Sequence, residues 1–129
     1  MCSVFGFIDY AGVLSTRQKN KLLSVLSREC EVRGTDATGI AYHYGGRLRI
    51  FKRPQPAHKL KLHLPNGVGV VLGHTRMTTQ GTQAFNPNNH PFAGSAEHAQ
   101  FALAHNGVLW NDKALRFSEN LPQTNLQTD

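Results

Sequence analysis

The sequence is poor in cysteine, with Cys2 and Cys30 as its only two thiols among 129 residues. So low a count does not suggest the disulfide framework that stabilises many small secreted domains. Neither cysteine has a second one at the spacing of a zinc site, and the seven histidines lack the H-E-x-x-H pattern of a helical metal site. We therefore expect no metal, and we interpret Cys30 as a small buried side chain on a helix.

Long apolar runs are also absent. No stretch approaches the about 20 consecutive apolar residues that a membrane-spanning helix requires, and the first ten residues lack the basic region of a secretory signal. The hydrophobic fraction of 40% and the charged fraction of 17% are ordinary for a globular protein. We expect one soluble, cytoplasmic domain covering residues 1–129.

Acidic residues are few, with 8 Asp and Glu against 14 Lys and Arg and a net charge of +6. A basic chain of this kind can bind an anionic partner such as nucleic acid. Much of the positive charge lies in one stretch, at Arg47, Arg49, Lys52, Arg53, Lys59 and Lys61. Because aromatic residues are not interleaved with these cations as stacking platforms, we favour a solvated strand face and loop, and nucleic-acid binding stays an alternative.

The start of the chain predicts a strand followed by a helix. The apolar run at residues 4–8 predicts a buried strand that fixes Cys2 at its beginning. Ser15 followed by Gln18 is a capping-box signature, and the apolar stripe after it predicts a helix over residues 16–30.

Two apolar stretches, 40–44 and 48–52, flank Gly45 and Gly46, a pair that readily adopts positive φ and so predicts an antiparallel hairpin. The remaining predictions are a helical segment over 57–64, a buried strand over 68–72 leading into 73–79, a polar functional loop over 80–90, a strand over 101–104, and a short helix over 114–117 capped by Asn111. Hairpins with helices at the edges predict an α+β domain with a mainly antiparallel sheet.

Cys2 directly follows the initiator methionine, so removal of Met1 would leave a cysteine with both a thiol and a free α-amine. An N-terminal amine has an ordinary pKa of about 7.7 to 8.0, so near neutral pH part of it is unprotonated and can take the thiol proton. Many chains carry a small residue at this position without any such role. The nucleophile hypothesis therefore depends on the rest of the sequence.

Three further segments accompany Cys2: RGTDATG at 33–39, GHTRMTT at 73–79 and AHNGVLWN at 104–111. Together they resemble the motifs of class II glutamine amidotransferases, whose glutaminase domain is an N-terminal-nucleophile hydrolase. The resemblance runs from Cys2 to Asp129. It implies stacked, mainly antiparallel sheets flanked by helices, and no cofactor. It also implies a reaction in which Cys2 attacks the glutamine side-chain amide, releases ammonia and forms a thioester that water resolves to glutamate.

The resemblance assigns roles to particular residues. Asn106 and Gly107 would supply the side-chain amide and backbone N–H that stabilise the tetrahedral oxyanion. The guanidinium of Arg76 suits bidentate capture of the α-carboxylate of glutamine, and Thr79 would be a further substrate contact. Asp129 would pair with the α-ammonium group.

Four more residues are expected to support the site. Arg33 can pair with Asp36 or reach the nucleophile, and His74 braces the loop that follows its strand. Thr78 offers a hydroxyl beside the substrate contacts, and His105 flanks the oxyanion pair.

The family pattern continues past Asp129, so we expect a C-terminally truncated domain whose activity as a separate polypeptide is open. Ammonia would pass to a synthase domain or subunit that the sequence does not identify, and the oligomeric state is equally open. The family often has tyrosine where Met77 stands.

One alternative keeps the scaffold as an N-terminal-nucleophile protease or acylase acting on another amide, but its substrate would lack the free α-carboxylate that Arg76 matches. The other is the basic nucleic-acid-binding module.

Overall fold

The computed structural model describes residues 1–128, in which the chain forms six strands, two helices and two short 3-10 turns. The strands are β1 (Ser3–Ile8), β2 (Ala37–Tyr44), β3 (Arg47–Arg53), β4 (Val70–Arg76), β5 (Phe92–Ala96) and β6 (Ala99–Leu103). The helices are α1 (Thr16–Glu31) and α2 (Asp112–Ser118), and the 3-10 turns are Ala57–Lys59 and Asn86–Asn88. Every strand pairing is antiparallel, which confirms the predicted α+β class. No helix in residues 1–128 is long and apolar enough to cross a membrane.

Strands β1, β4, β2 and β3 form one sheet in this order, and α1 packs against β1 and β4 on one of its faces. Gly73 stands between Phe5 and Ile40 in the ladder, and a Cβ at Gly73 would lie 2.2 Å from the Phe5 ring. Glycine therefore leaves the space that this ring occupies. The core between sheet and helix consists of Phe5, Leu23, Ile40, Leu64, Val68 and Val71.

The opposite face of the sheet is only partly covered. The hairpin of β5 and β6 lies over the β3 side, where the Leu48 backbone N–H donates to Gln100 Oε1 at 3.3 Å. On the β1 side Val4 and Ile8 remain 43% and 52% exposed. The expectation of a buried strand over residues 4–8 is therefore correct for one face only, because alternate residues of β1 point to the covered and the open face.

Helix α1 begins as its sequence signature predicts. Ser15 Oγ accepts from the Gln18 backbone N–H at 3.3 Å, and Gln18 Oε1 accepts from the Ser15 N–H at 2.8 Å. In the next turn, the buried Lys19 ammonium pairs with Asp9 at 3.0 Å and donates to the Val68 carbonyl at 2.8 Å. The hydrogen bond from Lys19 holds the pKa of Asp9 below the ordinary value. These contacts join the end of β1 to the helix and to the segment before β4.

The predicted helix over 57–64 is wrong beyond its first turn, since only Ala57–Lys59 is helical. The Leu64 backbone N–H donates to Asn20 Oδ1 at 2.7 Å, and its carbonyl accepts from Asn20 Nδ2 at 3.1 Å. Both backbone groups of Leu64 are thus satisfied by α1 instead of by a helix of their own. The following Pro65 also disfavours helical geometry at Leu64.

Two other predictions require correction. The polar loop predicted over 80–90 is partly interior, because Asn88 and Asn89 are fully buried and His90 is 6% exposed. Asn111 precedes α2, but its side chain makes no capping hydrogen bond. Strand β5 was not predicted, since its sequence FAGSA has neither β-branched residues nor a regular apolar alternation.

Candidate active site

The proposed nucleophile lies where β1 meets the end of β4. Ser3 pairs with Thr75 in the antiparallel ladder, so Cys2 is placed beside the residues that follow Thr75. The Met77 backbone N–H donates to Cys2 Sγ at 3.4 Å, and the Met77 carbonyl oxygen lies 3.5 Å from the same sulfur. The side chain is half-buried.

The chain start is also held at this position. The α-amine of Met1 donates to the Met77 Sδ at 2.9 Å, and Arg33 Nη2 donates to the Met1 Sδ at 3.3 Å. Arg33 was expected to bind either Asp36 or the nucleophile region. Among the described residues its side chain bonds to the nucleophile region and not to Asp36. Removal of Met1 would bring the α-amine of Cys2 to the neighbourhood of Met77.

Asp36 instead fixes the backbone on both sides of Met77. Its N–H donates to the Arg76 carbonyl at 2.9 Å, and its Oδ2 accepts from the Thr78 N–H at 2.7 Å. Gly34 allows the two segments to approach, because a Cβ there would lie 2.6 Å from the Arg76 backbone. The segment 33–39 therefore sets the position of the backbone that contacts Cys2.

Arg76 ends β4 as a buried cation, 3% exposed, on the same face of the sheet as His74. Its Nη1 donates to Asn89 Oδ1 at 2.8 Å, and its Nη2 donates to the Gln80 carbonyl at 2.6 Å. Both of these partners are neutral oxygens. They hold the guanidinium at two separate nitrogens.

Two stacked histidines lie next to Arg76. The rings of His74 and His90 are 4.4 Å apart with an interplanar angle of 19°. Burial lowers the pKa of His74 to about 4 and the pKa of His90 to about 3, so both rings are neutral near pH 7. His74 Nε2 lies 3.1 Å from the His105 carbonyl oxygen, which requires the proton on Nε2. His74 thus braces the segment around His105, and its predicted role at the loop after its own strand stays a prediction.

The AHNGVLWN segment is anchored through His105. The His105 carbonyl contacts His74, as described above. The His105 backbone N–H donates to His90 Nδ1 at 3.0 Å. Gly107 packs against the His105 ring, where a Cβ would lie 2.4 Å from Nε2, so a larger residue would displace the ring. Asn106 and Gly107 themselves are exposed. Within residues 1–128 neither Asn106 nor the exposed Thr79 makes a hydrogen bond with Cys2, and their predicted roles stay predictions.

Thr78 is tied to the loop after β4. The Thr78 backbone N–H donates to Asp36 Oδ2, and the Thr78 hydroxyl lies 3.4 Å from Gln83 Oε1. At this distance the hydroxyl contact is long for an O–H donor. The structure therefore supports a positioning role for the Thr78 backbone more strongly than a role for its side chain.

The C-terminal segment docks on the same loop. The Gln127 N–H donates to Asn88 Oδ1 at 2.9 Å, and Asn88 Nδ2 donates to Gln127 Oε1 at 3.1 Å. Gly81 lies against Gln127, and Thr128 is buried. Asp129, to which the sequence assigns the substrate ammonium, lies outside the described residues.

A cavity of about 1170 Å³ lies between this loop and the C-terminal segment. It is lined by Gln80, Gly81 and parts of residues 110–128, and not by Cys2, Arg76 or His74. Its nearest link to the site is Gln80, whose carbonyl binds Arg76. The candidate site is therefore formed by the contacts around Cys2 and Arg76 and not by this cavity.

Sequence reasoning named Asp36 only as a partner of Arg33, took Asn89 only as pocket wall, and missed Lys52. Lys52 was assigned to a solvated strand face. It is half-buried and donates to the carbonyl oxygens of Pro87 and Asn89, and burial followed by the charge of Arg76 lowers its pKa. Strand alternation could have found it, because Lys52 faces the same side as Ile50, opposite Phe51.

Over nearly its whole length the chain is similar to curated proteins that carry a class II glutamine amidotransferase domain. These relatives are glutamine–fructose-6-phosphate aminotransferases. The chain is 34% identical to that of Symbiobacterium thermophilum over 119 residues, which are 90% of this chain and 18% of the relative. It is 32% identical to that of Helicobacter pylori, over 90% of this chain and 18% of the relative. It is 31% identical to that of Halalkalibacterium halodurans, over 100% of this chain and 20% of the relative.

The chain thus spans about a fifth of the length of the curated relatives that it matches. No profile of a known protein family and no solved structure matches it.

Proposed function

We propose that this chain hydrolyses the side-chain amide of glutamine to glutamate and ammonia, with Cys2 as the nucleophile. The observation that carries the proposal is the placement of Cys2, which directly precedes β1, with its Sγ 3.4 Å from the backbone nitrogen of Met77, the residue after Arg76. The similarity to glutamine-dependent aminotransferases supports glutamine as the substrate. We further propose that the sheet and α1 are part of an N-terminal-nucleophile hydrolase architecture.

In the proposed reaction the α-amine of Cys2, free once Met1 is removed, takes the thiol proton. The thiolate attacks the amide carbon, and the oxyanion is stabilised by the Asn106 side chain and the Gly107 N–H. The protonated amine then gives its proton to the leaving nitrogen, so that ammonia departs and a γ-glutamyl thioester remains. Water, deprotonated by the same amine, cleaves the thioester and restores the thiol.

Substrate selection falls to charged groups at the two ends of the amino acid. Arg76 would bind the α-carboxylate with parallel N–H donors, and Thr79 would add a contact beside it. Asp129 would pair with the α-ammonium. A substrate without both charges would bind weakly.

The released ammonia would be used by a synthase domain or subunit. The relatives are named for transfer to fructose 6-phosphate, and we propose a sugar phosphate of this class as the acceptor. None of the roles assigned to residues 1–128 requires the acceptor site, so glutamine hydrolysis can be tested separately.

The test is intact-mass analysis after incubation with the glutamine-like electrophile diazo-oxo-norleucine. The chain with Met1 removed should gain one adduct, glutamine should slow its formation, and Cys2→Ala should gain none. Cys30→Ala is the matched control and should label like the parent chain. Absence of an adduct on the processed chain, or labelling that glutamine does not slow, would contradict the proposed function.

A further inference from the structure

Asn89 is a fully buried amide whose hydrogen-bonding groups are all engaged. Its Oδ1 accepts from Arg76 Nη1 at 2.8 Å. Its Nδ2 donates to the Gln83 carbonyl at 2.9 Å and to Asn86 Oδ1 at 3.1 Å, and its own carbonyl accepts from Lys52. The two donors of the amide point away from Arg76, so a reversed amide would lose all three bonds. The network therefore specifies which atom faces the guanidinium.

We infer that Asn89 is the positioning residue for Arg76 and thereby sets the affinity of the site for the α-carboxylate of its substrate, an inference that rests on the proposed function. A long arginine side chain loses conformational freedom when it binds an anion, and this cost falls if the side chain is already held. Asn89 holds Nη1 and the Gln80 carbonyl holds Nη2, which defines the plane of the guanidinium. A fixed plane is what bidentate carboxylate binding needs.

The neutrality of the amide matters as much as its position. A carboxylate at residue 89 would form a charged pair with Arg76 and compete with the carboxylate of the ligand. Lys52 adds to the arrangement from the backbone side, because its ammonium donates to the Asn89 carbonyl and lies over the Phe92 ring. The loop 80–90 therefore orients the cation through a neutral group.

Two variants separate orientation from reactivity. Asn89→Ala removes the acceptor, and Asn89→Asp keeps the size and the acceptor but adds a negative charge. Cys2 Sγ contacts Met77 and not Asn89, so its intrinsic reactivity should persist in both variants. Asn66→Ala is the matched control, since Asn66 is an exposed asparagine bonded to Thr16 at the start of α1.

The experiment measures the rate of Cys2 modification by intact mass, on the chain with Met1 removed, against the concentration of diazo-oxo-norleucine. Iodoacetamide, which lacks an α-carboxylate, is the second reagent. In Asn89→Ala we expect the half-saturating concentration of diazo-oxo-norleucine to rise about tenfold, the size of effect expected for one lost hydrogen bond to a charged group. In Asn89→Asp we expect it to rise as well, because the added carboxylate competes with the ligand for Arg76. The maximal rate and the iodoacetamide rate should change less than twofold, and Asn66→Ala should match the parent.

An unchanged half-saturating concentration overturns the inference while leaving the proposed function intact. A parallel fall of the iodoacetamide rate also overturns it, because the substitution would then act by general distortion. If the parent chain shows no saturable modification, the proposed function fails and the inference fails with it. Should Asn89→Ala not fold, the isosteric Asn89→Asp decides the question.

Discussion

The backbone N–H of His105 donates to Nδ1 of His90 across 3.0 Å. A protonated imidazole has no lone pair with which to accept this bond, so the contact requires neutral His90 with its proton on Nε2. The ring also stacks on His74, which is neutral for its own reason, since burial lowers its pKa. The segment that carries Asn106 is thus anchored on a histidine pair that must stay uncharged.

Acidification should therefore destabilise the fold. His74 and His90 have pKa values of about 4 and about 3 in the folded chain against an ordinary 6.5, so the unfolded chain binds more protons below pH 6.5. Their contribution is fully present above pH 6.5 and is lost as the pH falls towards 4. We expect the free energy of unfolding to drop as the pH falls from 7 to 4, by up to about 1.4 kcal/mol per pH unit for each histidine, measured by urea denaturation. His90→Gln should flatten this dependence, whereas replacement of the exposed His63 by Gln should not.

Gly73→Ala should lower stability by about 1 to 3 kcal/mol, because the added methyl overlaps the Phe5 ring in the core. Gly69→Ala is the matched substitution, since a Cβ at Gly69 would meet nothing closer than 3.9 Å. Thermal unfolding of the two variants should show a clear loss for Gly73→Ala and little change for Gly69→Ala. Equal stabilities would mean that the ring moves aside without cost.

Asp36→Ala should slow modification of Cys2 by both glutamine-like and simple electrophiles, about tenfold, because the Thr78 N–H loses the carboxylate that restrains the backbone next to Met77. The backbone bond from the Asp36 N–H to the Arg76 carbonyl remains in this variant. Asp36→Asn retains an oxygen acceptor for the Thr78 N–H and should recover most of the rate. The rate constants come from the same mass assay. If Asp36→Asn is as slow as Asp36→Ala, the hydrogen bond to Thr78 is not what matters.

Asn88→Ala should release the C-terminal segment, because three side-chain hydrogen bonds are lost, two of them to Gln127 and one to the Thr82 carbonyl. The expected result is faster amide hydrogen exchange at residues 126–128 with protection in β2 and β4 unchanged. Unaltered exchange at Gln127 would show that other contacts hold the segment. Asn66→Ala again serves as the comparison, since it removes an asparagine side chain far along the sequence from this loop.

Elements whose determinants are local could be predicted from the sequence. The capping box of α1 lies within four residues, and the hairpin turn needs two positive φ angles, which Gly45 and Gly46 adopt at +59° and +71°. The helix expected over 57–64 fails because Asn20, 44 residues away, binds both backbone groups of Leu64. Local propensity cannot anticipate such a partner.

The sequence by itself determined which reactive groups the chain offers and in which order, from Cys2 beside Met1 to Arg76 and the Asn106–Gly107 pair, because chemistry of this kind depends on residue identity. Only the tertiary structure decided that Asn89 is buried against Arg76 and that Asp36 restrains the backbone at Cys2. A polar side chain enters the interior only where distant groups satisfy its hydrogen bonds. Those groups are assembled by the folded chain and are invisible in any local pattern.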